Sequence, residues 1–175
     1  MASARSELEA DSWAFALAIY AKPGVAEACL TLQNEAGVDV MILLIATFAA
    51  IKHRLLLTAE DIRVLDEACR PWREQIVRPL RAIRSGLKTG PQPAPNNATE
   101  PFRSQVKALE LAAERLENQL LTECLPLRAP AQGTVTPEQL QTVLKSVVAH
   151  FAKGRGVQLS SAIGTIVEAA IQDAC

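Results

Sequence analysis

Six cations, Arg70, Arg73, Arg78, Arg81, Arg84 and Lys88, recur at spacings of three to five residues, and Glu74 is the single acid among them. Residues 70 to 88 thus carry a net +5 in a chain whose total is −1, which leaves −6 for everything else. Placed at about 100° per residue, the cations share one arc of a helix, while Trp72, Ile76, Leu80, Ile83 and Leu87 form a narrow stripe beside it that predicts the core-facing side. Guanidinium forks match carboxylate and phosphate oxygens, so Arg73, Arg78, Arg81, Arg84 and Lys88 are the candidate contacts for an anionic partner. The same spacing also fits a solvated face whose cations pair with acids of a neighbouring helix, for which Glu110, Glu114 and Glu117 are available.

Other chemistry is sparse. A catalytic site needs a nucleophile, a base or paired carboxylates in mutual reach, and the chain has two histidines, His53 and His150, both read as helix-terminal cations or surface residues. Cys29, Cys69, Cys124 and Cys175 stand far apart with no Cys-x-x-Cys pair, so they predict reduced thiols rather than a zinc site or a redox motif. Glu60 and Glu67 fit Arg63 and Arg70 as surface partners at helical spacing. Gly154-Arg155-Gly156 reads as a turn between helices, not a phosphate loop, and Trp13 with Tyr20 reads as core. No catalytic residue, metal ligand or cofactor is nominated.

The elements that must position the arginine row are helical. With 49% apolar and 21% charged residues, the composition supports a folded core and argues against nucleic acid as a partner. Nowhere does a β-branched run alternate between turn signals. Helix starts are marked by Asp39, by Thr58 ahead of Glu60 and Asp61, by Pro71 after a bend at Cys69 and Arg70, and by Thr136-Pro137 with Gln139. Phe102, Val106, Leu109, Ala113, Leu116 and Leu120 predict the buried stripe of a long helix.

The expected fold is all-α, a compact multi-helix bundle with a C-terminal helical hairpin. A main domain spans about 6–125, with a flexible proline-rich connector at about 89–99, and the hairpin spans 136–174. The apolar run from Val40 to Ile51 is about 12 residues against the roughly 20 that cross a bilayer, so it predicts a buried central helix and no membrane span. The opening MASARSELEADSW lacks the pattern of a secretory signal, and the expected compartment is the cytoplasm.

Several motifs carry a family likeness: Trp13-x-Phe15 with Tyr20, Pro23-Gly24-Val25, Cys29-Leu30-x-Leu32-Gln33, Gly37-x-Asp39-Val40, Pro71-Trp72-Arg73 and Pro79-Leu80-Arg81. Over about residues 11–125 the chain resembles a family of bacterial proteins, Domain of Unknown Function 2390. The resemblance implies a helical bacterial cytoplasmic protein and brings no activity, cofactor or catalytic residue with it.

The function expected from these residues is non-catalytic binding, by an adaptor that uses the basic helix face on a protein or another anionic partner. One alternative is a small-molecule or enzymatic pocket between the apolar first and third helices. Another is an assembly factor that self-associates through the C-terminal hairpin.

Overall fold

The structure, a computed structural model, describes residues 2–153 and 159–172, with side chains from residue 6 onward. Cys175 and the Gly154-Arg155-Gly156 segment, expected to be a turn, lie outside the described residues. The elements are α1 (Ala2–Tyr20), α2 (Val25–Ala36), α3 (Val40–His53), α4 (Ala59–Trp72), a π-turn (Arg73–Val77), α5 (Arg78–Gly86), α6 (Glu100–Glu123), α7 (Pro137–Ala152) and α8 (Ser160–Gln172). No strand occurs among the described residues. The fold is an all-α bundle, as the patterning predicts.

Local signals set the helix ends. Gly37 takes φ 70°, a left-handed conformation that glycine adopts without strain, and closes α2. Two residues on, the Asp39 carboxylate accepts from the amides of Met41 at 2.8 Å and Ile42 at 3.2 Å and so starts α3. Reciprocal capping boxes open α4 at Thr58 with Asp61 and α7 at Thr136 with Gln139.

Every residue of α3 from Met41 to Ala50 is buried, which makes it the central helix. It packs against α1, α6 and α7, while α8 lies along α2. Leu140, Leu144 and Ile166 of the last two helices therefore join the same core as Phe48, Ile42 and Leu32. Residues 87–99 form turns that are mostly exposed, although Ala94 is buried. Among the described residues no single helix is long and apolar enough to cross a membrane.

Two expectations about helix faces are overturned. First, the path does not break at Cys69–Arg70. Pro71 lies inside α4, and the π-turn carries the chain straight into α5. This wider turn lies just upstream of Pro79, which has no N–H to give to the carbonyl of Gln75. The extra residue rotates the following face, so that Arg73 and Val77 are buried while Ile76 is 37% and Ile83 is 50% exposed.

Second, α6 does not bury its most apolar stripe. Phe102, Leu109 and Leu116 are each more than half exposed, and the inward face is Val106, Glu110, Ala113, Glu117 and Leu121. The physical reason is ion pairing: the arginines of α5 meet the glutamates of α6 across the helix interface. Trp72 reinforces this rotation by donating its indole N–H to the carbonyl of Ala113 at 3.0 Å.

Candidate functional site

Arg73 occupies the centre of a buried ionic cluster. The π-turn aims its side chain into the bundle, where Nη1 donates to Asp39 Oδ2 at 2.6 Å and Nη2 to Asp66 Oδ1 at 2.7 Å. The guanidinium also lies 5.6 Å from the centre of the Phe151 ring. Asp66 in turn accepts from Arg70 Nη2 at 2.6 Å and meets His150 Nε2 at 2.9 Å. One cation thus ties the start of α3 to α4 and, through Asp66, to α7.

Burial opposes ionisation of Asp66, but hydrogen bonds from Arg70, His150 and Arg73 outweigh it and hold the carboxyl down to about 2. Arg73 stays charged because Asp39 and Asp66 overcome the cost of its burial. Cys69 Sγ stands 3.5 Å from Arg73 Nη1, yet burial, reinforced by the Asp39 charge, pushes its thiol up. It is therefore a poor nucleophile.

Above this centre opens a pocket of about 630 Å³. Trp13, Leu17 and Tyr20 of α1, Leu30 of α2 and Met41 and Leu44 of α3 form its apolar walls. Asp39, Arg73 and Glu117 border its inner end, and Arg78, Arg81, Arg84 and Lys107 line the side made by α5 and α6.

The charged side is mostly paired. Arg81 donates to Glu110 at 2.9 Å, to Glu114 at 2.6 Å and to Gln33 at 2.5 Å. Arg84 grips both oxygens of Glu110. Burial raises Glu110, but Arg84 and Arg81 prevail and keep its carboxyl low, whereas for Glu114 burial prevails and its carboxyl is raised.

Glu117 differs. It is 1% exposed, and its Oε1 has no hydrogen-bond partner among the described residues. Burial, reinforced by the charge of Asp39, pushes its carboxyl well above the usual glutamate range.

The five cations nominated from sequence therefore occupy different environments. Arg73 is buried within the ionic centre and is not presented to solvent. Arg81 and Arg84 are half-buried in pairs with α6, and Arg78 is half-exposed and bonded to Glu74 at 2.8 Å. Lys88 is exposed on the turn after α5, away from the pocket lining.

Asp39 was legible as a helix cap but not as an ion partner. Asp66, Glu117 and His150 give no signal of a site in the sequence, because only the fold brings Asp66 to His150 and Glu117 to Asp39 and Cys69. Trp13 and Tyr20, read as core, stand at the pocket wall.

Asp39, Cys69 and Glu117 place one potential ligand atom each within 4.8 Å of one another. A metal ion does not suit them. Asp39 already gives Oδ1 to the α3 amides and Oδ2 to Arg73, the thiol is held protonated, and the Arg73 cation is alongside.

The family described as "Protein of unknown function (DUF2390)" matches residues 11–121, a span that takes in every residue lining the pocket. No curated protein and no solved structure matches the chain. The match covers more than half of the sequence and contains Asp39, Asp66, Arg73 and Glu117, so the chain belongs to the DUF2390 family.

Proposed function

We propose that the protein is a small-molecule-binding protein whose ligand lies in the pocket between α1, α3, α5 and α6. The observation that carries this reading is Glu117, a buried acid with an unbonded oxygen at the inner end of a cavity with apolar walls. A buried polar atom left unpaired costs about 1–3 kcal/mol, so the fold tolerates a penalty at the place where a ligand would relieve it. The cavity volume and the mix of apolar walls with a few convergent polar groups also suit a small ligand. In this reading the arginines expected to meet an anionic partner are mainly fasteners between α5 and α6, and Arg78 and Lys107 remain as the more exposed cations beside the opening.

The test uses a neutral, apolar fluorescent probe, N-phenyl-1-naphthylamine, with the intact protein. Ala82 is an exposed residue that lines the pocket, so Ala82→Trp should obstruct it with little effect on the core. Saturable fluorescence enhancement is expected with the wild type and should be largely lost in Ala82→Trp. Equal enhancement in both proteins would contradict the reading.

A further inference from the structure

The charges around the pocket are matched unevenly. Arg81 and Arg84 direct their donors to Glu110, Glu114 and Gln33, so these cations already have acceptors. At the inner end, Arg73 serves Asp39 and Asp66, and Asp66 draws further on Arg70 and His150. No cation in this network is ion-paired to Glu117. From the elements packed around it, the groups facing Glu117 are Asp39 at the start of α3, which opposes its ionisation, and Cys69 of α4 and Arg73 of the π-turn, which favour it. The Glu117 site is thus one positive charge short of balance whenever the acid ionises.

We propose that the inner end of this pocket receives the protonated nitrogen of an organic amine, with Glu117 Oε1 as its first acceptor and the ligand's apolar body against Trp13 and Leu44. The inference rests on the pocket reading above and adds the ligand's class to it. An ammonium supplies the missing charge and a donor for the orphan oxygen in one step. The rings of Trp13 and Tyr20, which border the same cavity, are surfaces that accept a cation as readily as an alkyl chain. Proton balance follows: an amine arriving as its ammonium seats against a carboxylate, so Glu117 releases its proton to solvent.

Hexylamine, hexanol and hexanoate share one apolar body and differ in the head group, and each can be titrated calorimetrically into the full-length protein near pH 7. The amine should bind about tenfold more tightly than the alcohol, as expected for exchanging a neutral for a charge-assisted hydrogen bond. Its heat should vary with the ionisation enthalpy of the buffer in the sense of proton release. The isosteric Glu117→Gln variant should lose both the preference and the proton release while still binding hexanol, and that retained binding reports an intact pocket.

Hexanoate as the tightest of the three would overturn the inference in favour of the arginine side. An amine preference unchanged in Glu117→Gln would overturn it as well. In either case probe binding that is sensitive to Ala82→Trp would leave the pocket reading standing. If none of the three binds and the probe ignores Ala82→Trp, both fall together.

Discussion

Arg73 and Arg81 lie on one continuous helical path and each is held by carboxylates, Arg73 chiefly by Asp39 and Asp66 with a longer contact to Glu74, yet their surroundings separate their roles. Arg73 is enclosed, and its partners Asp39 and Asp66 are enclosed with it. Arg81 is 29% exposed at the side of a cavity, and its partners Glu110 and Glu114 border the same cavity. Removing water from an ion pair makes loss of one partner far more damaging than the net worth of the pair suggests. The inner cluster therefore fastens the bundle, while the outer one holds two helices together and still faces the pocket.

The sharpest way to break this comparison is Arg73→Met, which keeps apolar bulk but leaves Asp39 without its cation and Asp66 with only Arg70 and His150. A loss of roughly 3–5 kcal/mol is expected in urea denaturation, because two buried carboxylates lose their shared cation. A loss below about 1 kcal/mol would mean that the cluster does not fasten the fold.

The acid limb of stability comes next. The Asp66 carboxyl is depressed to about 2 in the folded chain, against about 4 when unfolded, so its contribution is complete above about pH 4 and is lost as pH falls toward 2. Asp66→Asn should be less stable than the wild type at neutral pH, and the gap should narrow as the solution is acidified through that window. A gap that is constant between pH 5 and 2 would contradict the assignment.

Smaller effects belong to the outer cluster. Arg81→Gln together with Arg84→Gln should cost about 1–3 kcal/mol, since Glu110 is buried and loses its charged donors. Arg78→Glu should change stability by no more than about 0.5 kcal/mol, because the Arg78 and Glu74 side chains are both largely exposed. A loss from Arg78→Glu as large as that from the double variant would erase the distinction between paired and open positions on α5.

Much of the fold was legible because its signals are local. Asp39, Thr58 and Thr136 announce helix starts through side chains that bond amides two or three residues away, and the apolar run of α3, broken only by Thr47, fits a central helix. The faces of α5 and α6 were not legible. Projection at a constant angle cannot anticipate a π-turn at Arg73–Val77, and an apolar stripe such as Phe102, Leu109 and Leu116 gives no hint that Arg–Glu pairing will turn it outward.

The ionic centre needs residues 39, 66, 73 and 150 from four segments, a convergence that no spacing within one segment records. The sequence signal for a pocket there is that the apolar faces of the first and third helices exceed what one partner helix can cover. The acid at its inner end lay unnoticed among the glutamates offered as partners for the arginine row.

The most direct measurement is the melting temperature of the wild type and of Glu117→Gln across pH 5 to 8, without ligand. Unfolded Glu117 loses its proton near pH 4, whereas burial beside Asp39 makes the folded carboxyl hold it to higher pH, so as pH rises from 5 the unfolded state binds fewer protons and the native state weakens. The expected result is a wild-type melting temperature that falls from pH 5 to 8, a flatter curve for Glu117→Gln, and a variant more stable than the wild type at pH 8. Parallel curves for the two proteins would show that Glu117 is already ionised and compensated in the fold, and would remove the orphan acid on which the pocket reading stands.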